Sequence, residues 1–392
     1  MIAHSDSIEA WLARLGQPDA DRDYRPGHAR MHALLDGLAL RRPRLRIRVA
    51  GTNGKGSTAT MLAAALQASG YRVGLYTSPH LRRFNERIRI DGVEASDEVL
   101  TDSLQGLMSK ALRTGASYFE VATALALAMF SGAGVDIEIL EAGVGARLDA
   151  TTAVPAEAAV LTPIGLDHQA WLGDTLEAIA GEKAWAMDGC AVALSAPQPP
   201  AVMRVLQAQR PDLAVLAADE AEALPELRAA GAHQRLNAAL AWRMLRLLSQ
   251  KGMVALRQAE ALSAIAVTDI LGRLQRIDWG ERRIWLDAGH NLHAVEALVP
   301  SLAGLCDRFE AIVVLTREDR DLSDAAPMLR PLTRHLFIGR GNDRATLFRA
   351  LEEYIAARDE GDFLVMGSFV TVGLAGEWLN AICGRSPASC RS

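Results

Sequence analysis

The chain has 392 residues, half of them hydrophobic, with four cysteines and a formal net charge of -5. That length predicts two cores, since one domain usually takes ~100-200 residues. The negative balance offers no general attraction to nucleic acid, while leaving room for a local anion pocket and small anionic substrates.

No apolar run approaches the ~18-20 residues needed to cross a bilayer, and Met1-Ile2-Ala3-His4-Ser5-Asp6 lacks a basic start leading into an apolar stretch. Cys190, Cys306, Cys383 and Cys390 fall without CxxC spacing. The expectation is a soluble cytoplasmic protein with reduced thiols, and neither a zinc site nor a disulfide framework. In chain order, Leu45, Ile47 and Val49 predict a strand that runs into the glycine-rich segment Gly51-Thr52-Asn53-Gly54-Lys55-Gly56. Ser57 to Ser69 carries Met61, Leu62, Ala65 and Leu66 at helical spacing, with Gly70 as the C-terminal cap. Arg44, Arg46 and Arg48 alternate with the apolar residues of the strand, which places one of its faces near solvent, because central parallel strands are apolar on both faces.

A second unit follows, with a helix from Phe119 to Phe130 and a strand from Asp136 to Leu140 that ends at Glu141-Ala142-Gly143-Val144-Gly145. A third has a strand from Ala158 to Leu161, leading through Asp167-His168 to a helix that contains Lys183. Ala196-Pro197-Gln198-Pro199-Pro200 reads as a loop within the same domain. After about residue 270 the rhythm restarts, with strands expected at Arg283 to Leu286, Ala311 to Leu315, His335 to Ile338 and Phe363 to Met366. The fold class predicted is α/β: a phosphate-loop domain with a mainly parallel sheet over 1-270, then a smaller α/β domain over 271-392, with Gly272-Arg273 near the hinge. Ligands of such sheets sit beyond the carboxyl ends of the strands, where the polar segments named here fall.

Between a strand and a helix, Gly51 to Thr58 has the chemistry a nucleoside triphosphate needs. Glycines let backbone N-H groups approach the phosphates, the helix N-terminus adds partial positive charge and Lys55 a full one. Gly56 stands where the usual pattern has a hydroxyl residue, so Ser57 is the magnesium-facing candidate. Magnesium prefers oxygen ligands and keeps its waters. Ser78, Glu141 and His168 each follow a predicted strand. Taken singly, such a serine is a turn residue and such a histidine structural; three at the ends of separate strands strengthen the metal reading. Lys183, by spacing alone, is an ordinary surface lysine.

Blocks of residues along most of the chain resemble one family. Val49-Ala50-Gly51-Thr52-Asn53-Gly54-Lys55-Gly56-Ser57, Thr77-Ser78-Pro79-His80-Leu81 and Phe84-Asn85-Glu86-Arg87-Ile88 are similar to the folylpolyglutamate synthase / dihydrofolate synthase family of Mur-type ligases. So are Tyr118 to Thr123, Leu140 to Thr151, Gly165-Leu166-Asp167-His168, Glu182-Lys183-Ala184, Gly272-Arg273-Leu274-Gln275, Asp287-Ala288-Gly289-His290-Asn291 and Gly367-Ser368-Phe369. The resemblance implies a Mur-ligase central domain that binds ATP, followed by a Rossmann-like domain, with catalysis in the cleft between them. It implies magnesium at Ser78, Glu141 and His168, beside the Ser57 candidate of the loop, and a carbamylated Lys183 as a further metal ligand. Lys55, His168, Lys183 and His290 become the catalytic candidates. ATP would meet Thr52, Asn53, Gly54, Lys55, Gly56, Ser57, Asn237, Arg273 and Asp287. A pterin-bearing acid would meet Ser117, Tyr118, Phe119, Glu120, Leu148, Asp149 and Ala150. The implied reaction is ATP-dependent addition of L-glutamate to dihydropteroate, to reduced folate, or to both, through an acyl phosphate, by a monomer with small-molecule substrates and no nucleic-acid or membrane partner.

Ala146 stands where the family has glycine, Thr152 where it has asparagine, and Leu292 where proline follows the His-Asn pair. The stretch from Ser195 to Gly231 is short, so a small peripheral strand element is expected to be missing, and Gly27-His28-Ala29-Arg30 resembles the family only loosely. These departures leave open a related ligase that acts on a non-folate acid and, from another class, a nucleotide-binding partner without catalysis.

Overall fold

Six residues, Leu45–Ala50 (β1), run through the interior of an eight-stranded sheet, with every side chain buried. The computed structural model describes residues 8-13, 15, 26-341, 343-383 and 390-391. These divide between two compact units, one through Glu226 with Leu236–Thr268 and one comprising Leu227–Arg235 and the chain from Asp269.

The sheet of the first unit is completed by Val73–Tyr76 (β2), Ile88–Ile90 (β3), Val93–Glu94 (β4), Ile137–Glu141 (β5), Ala158–Leu161 (β6), Val192–Ser195 (β7) and Ala214–Val215 (β8). Its order is β4-β3-β2-β5-β1-β6-β7-β8, parallel from β2 to β8, with β3 and β4 added antiparallel at one edge. Leucines at Leu100, Leu104 and Leu107 of the helix Asp97–Thr114 meet Val121, Leu125 and Phe130 of the helix Tyr118–Ala133 in one apolar cluster. Ile179, Val202 and Leu206 join Leu161 in another. The helix after β1 spans Lys55–Ala68 and ends as expected at Gly70: Gly70 N-H donates to Gln67 O, and Tyr71 N-H to Leu66 O. This pattern needs a residue at positive φ, and Gly70 stands at +93°. In the short stretch from Ser195 to Gly231 the edge strand β8 has two residues, Ala214–Val215.

The arginines of β1 do not face solvent. Arg46 is 7% exposed and pairs at 2.6 Å with Glu138, its register partner on β5. Arg48, 4% exposed, donates to the carbonyls of Val154, Ala186 and Asp188. A buried cation is tolerated only with such partners, since stripping one from a buried pair costs ~3-5 kcal/mol. Only Arg44, ahead of the strand, is exposed.

The second unit holds Gln275–Trp279 (β9), Glu281–Asp287 (β10), Phe309–Thr316 (β11), Thr333–Arg340 (β12), Glu360–Met366 (β13) and Cys390–Arg391 (β14). Their order is β12-β11-β13-β10-β9-β14, the first four parallel and the last two antiparallel. The four expected strands are all present. The helix Leu292–Leu302 starts from an Asn291 cap, so Leu292 occupies the first helical position, where the family's proline would also be accommodated. Among the described residues, no helix is long and apolar enough to cross a membrane.

Candidate active site

The loop between β1 and its helix is shaped by close approaches that only glycine permits. Gly51 (φ +144°) lies so near Thr162 that a Cβ would fall 2.0 Å from its hydroxyl oxygen, and a Cβ on Gly54 (φ +89°) would fall 2.3 Å from Asn237 Oδ1. Gly54 caps the helix without a side chain, so the helix N-terminus and its partial positive charge are presented at the loop. Thr52 fastens the loop to the next one: its hydroxyl donates to Gly165 O and accepts from Gly165 N-H, both at 3.0 Å. Gly54→Ala is expected to lower stability by ~1-3 kcal/mol, through the left-handed backbone and the clash with Asn237, and to weaken nucleotide binding. Thermal unfolding and ATP titration would detect both effects; wild-type values in each would contradict this account of the loop.

Two amines serve this loop from different directions. Lys55, the first residue of the helix, donates to Thr52 O at 3.1 Å. Lys183, near the end of the helix Leu176–Ala184 and 2% exposed, donates to Gly51 O at 2.8 Å. Burial, reinforced by the charge of Lys55 and opposed by Asp167 and Asp149, lowers the Lys183 pKa to about 7. It is thus no surface lysine; Glu182, the residue before it, faces Arg147 at 2.7 Å instead.

Glu141 ends β5 with its carboxylate against the first helical turn, where a Cβ on Gly56 would lie 3.3 Å from Oε2. The same oxygen accepts from Ser78 N-H at 2.9 Å, next to the cis bond Ser78-Pro79. Ser57 is buried in that turn. The structure thus brings Glu141, Ser78 and the phosphate loop together. His168 begins the short helix Gln169–Leu172 at φ +52°, with its N-H donating to Asp167 Oδ1. Among the described residues, no three histidine, cysteine or acidic side chains cluster as a metal site. One carboxylate with hydroxyls suits a magnesium ion that is also held by phosphates and water.

The residues expected to meet the acceptor acid are joined by structural bonds. Ser117 and Glu120 form a reciprocal cap at the start of the helix Tyr118–Ala133. Glu120 Oε2 also takes Arg30 Nε at 3.0 Å, whereas Oε1 is buried without a partner. Tyr118 packs edge-on to Phe84 and under the guanidinium of Arg87; Phe119 lies tilted against Tyr76. Asp149, 2% exposed, accepts from Gly143 N-H, Val144 N-H, Thr151 N-H and the Thr151 hydroxyl, so its carboxylate shapes the loop. Burial nevertheless raises its pKa. Leu148 O receives Gly27 N-H, and Ala150 is buried.

In the second unit, Asp287 ends β10 and accepts from Leu274 N-H and Gly289 N-H. Arg273 lies 4.9 Å from the Phe369 ring centroid and the His290 ring 6.1 Å from it, so Phe369 is a platform for both. His290 Nδ1 is 3.0 Å from Ala288 O; a carbonyl only accepts, so this nitrogen carries the proton.

Several contributors escaped sequence reasoning. Arg87 Nε donates to His80 Nδ1 at 2.9 Å, while burial and then the Arg87 charge lower His80 to about 4. The recurrence of His80 and Arg87 in adjacent matched blocks was the available signal. For His28, described below, the signal was only the loose resemblance of Gly27-His28-Ala29-Arg30 to the family.

No protein-family model matches the chain. It is 33% identical over 380 residues to the dihydrofolate synthase/folylpolyglutamate synthase of Escherichia coli strain K12, covering 85% of this chain and 86% of that relative. The enzyme of the same name from Mycobacterium tuberculosis is 34% identical over 354 residues, 78% of this chain and 72% of its own. The solved structure of E. coli FolC in complex with DHPP and ADP has a TM-score of 0.82 at 28% identity, over 96% of this chain and 99% of that one.

Proposed function

The chain belongs to the dihydrofolate synthase/folylpolyglutamate synthase family, and from that membership we propose that it joins L-glutamate both to dihydropteroate and to the glutamate tail of reduced folate. It is an ATP-dependent ligase that forms carbon-nitrogen bonds on a Mur-ligase-type α/β fold. The observation that supports ATP-driven chemistry is the phosphate loop with its Lys55, the buried Lys183 amine and the Glu141 carboxylate directed at it, while the choice of acids rests on the family.

A carboxylate does not react with an amine at neutral pH, because it lacks a leaving group. In the proposed reaction the acid's carboxylate oxygen attacks the γ-phosphorus of ATP, the bond to ADP breaks, and an acyl phosphate forms. The amine of glutamate then attacks the acyl carbon, phosphate leaves and the amine loses a proton. Backbone N-H groups at the start of the helix Lys55–Ala68 hold the phosphates, and Lys55 meets the charge that grows on them. Glu141, Ser78, Ser57 and His168 would hold magnesium, which when bound draws charge from the β- and γ-phosphate oxygens. A Lys183 amine with its pKa lowered to about 7 is available in its neutral form at physiological pH and can add carbon dioxide, forming an N-C bond and releasing a proton; the resulting anion would be a further magnesium ligand. Thr52, Asn53, Gly54 and Gly56 complete the nucleotide loop; on the family resemblance Asn237, Arg273 and Asp287 are assigned to ATP, and His290 to catalysis. Ser117, Tyr118, Phe119, Glu120, Leu148, Asp149 and Ala150 are assigned to the acceptor. The same reading takes 1-270 as the ATP-binding domain with its substrate segment and 271-392 as the C-terminal ligase domain, in a cytoplasmic monomer without nucleic-acid or membrane partners.

A ligase for a non-folate acid is the second reading, favoured by Thr152 and Ala146 at the acceptor loop. Phosphate release from MgATP with glutamate, in the presence of dihydropteroate or tetrahydrofolate, separates the two. Stimulation by both acids is the expected result; silence with both, despite ATP binding, would sink the folate reading. A nucleotide-binding partner without catalysis would release no phosphate with any acid.

A further inference from the structure

Three departures from the family pattern meet at one point. The Thr152 hydroxyl lies 2.5 Å from Ala146 O and 2.7 Å from Asp149 O, within the loop whose residues 148-150 are assigned to the acceptor. His28 Nε2 stands 3.1 Å from that hydroxyl and 3.1 Å from Asp149 O. The carbonyl only accepts, so Nε2 carries the proton and the ring donates. Burial, the largest influence on His28, lowers its pKa and favours the neutral ring with that single N-H.

The contact belongs to a strap. Gly27 N-H reaches Leu148 O, His32 Nε2 lies 3.2 Å from Ala153 O, and Arg30 pairs with Glu120. One short segment thus ties together both groups of residues assigned to the acceptor. We propose that His28 and Thr152 are a positioning pair that sets the shape of the 146-153 loop and thereby selects which acid the enzyme accepts. This rests on the acceptor assignment above.

The chemistry of position 152 supports it. A threonine hydroxyl sits directly on Cβ, close enough to the backbone to reach two carbonyls of its own turn. The polar atoms of asparagine lie one bond further out, so an amide at 152 would extend into the space of His28. The strap would then shift away from the loop, and the acceptor's wall with it. Loop shape at this point is therefore coupled to the identity of residue 28.

The test is steady-state kinetics of the full-length enzyme with each acid and with ATP. Thr152→Val and His28→Ala are each expected to raise KM for the accepted acid about tenfold, the consequence of losing one bond between strap and loop while Ala146 O and Asp149 O keep their backbone donors. KM for ATP should stay within about twofold, because the phosphate loop keeps its own bonds. Thr152→Ser, which retains the hydroxyl, and His28→Gln, which retains an N-H donor, should recover most of the loss. Thr152→Asn should change the ratio of kcat/KM for dihydropteroate over tetrahydrofolate. If Thr152→Val fails to fold, Thr152→Asn and His28→Ala carry the same test. Unchanged acid KM and an unchanged acid ratio in an enzyme active on folates would overturn the positioning pair and leave the folate reading intact. Silence of the wild-type enzyme with both acids would overturn both.

Discussion

Lys55→Ala is expected to cut acid-stimulated phosphate release by about two to three orders of magnitude, the effect of removing a charge stabiliser aimed at the reacting group. The loss should fall mainly on kcat. In the free enzyme the ammonium rests on Thr52 O at 3.1 Å, a bond it can exchange for a phosphate oxygen. Charge on the transferring group changes most at the transition state, so an interaction with it is stronger there than with bound ATP. Lys55→Arg should recover little, because a planar guanidinium does not replace a compact point charge in a loop drawn this tightly around Gly51 and Gly54. A variant that kept wild-type kcat with only a raised KM for ATP would show that Lys55 serves binding alone.

The second large effect belongs to Lys183. With a native pKa of about 7 and an unfolded value of 10.5, its amine holds fewer protons in the folded state throughout that interval. Stability rises with pH wherever the unfolded state binds more protons, at up to about 1.4 kcal/mol per unit for one group. In CO2-free buffer, wild type should therefore gain on Lys183→Met as pH climbs from 7 towards 10. Below pH 7 both states are protonated and the difference flattens, with the wild type bearing the cost of a buried ammonium. Urea unfolding at successive pH values measures this; parallel curves would mean that the amine titrates as if in water. Turnover of Lys183→Met should fall by about two orders of magnitude, if the residue supplies a metal-binding anion as proposed.

The phosphate loop, the mainly parallel sheet of the first unit and four strands of the second were legible because each is written locally, in glycine spacing and apolar runs. What failed was whatever depended on distant partners. Arginines alternating in β1 look like a wet face until Glu138 and the carbonyls of Val154, Ala186 and Asp188 are in place. Lys183 looks like a surface residue beside Glu182, because nothing nearby tells that one points at Arg147 and the other at Gly51. Short or polar strands such as β3, β4 and β9 carry too little periodicity to register. The acceptor side is the least legible of all, since Asp149 and Glu120 reveal their roles only through the groups that bond to them.

Arg48 bears on how the protein is made. Its carbonyl partners lie 106, 138 and 140 residues further along the chain. A nascent polypeptide that has just extended past its nucleotide motif carries this guanidinium with nowhere to put it. Until the ribosome has delivered Asp188, β1 cannot enter the interior without stranding a cation there. The motif written first thus waits on chain written more than a hundred residues later, and proteolytic or truncated fragments that end short of that point would bear the signature of a nucleotide enzyme without its receptor.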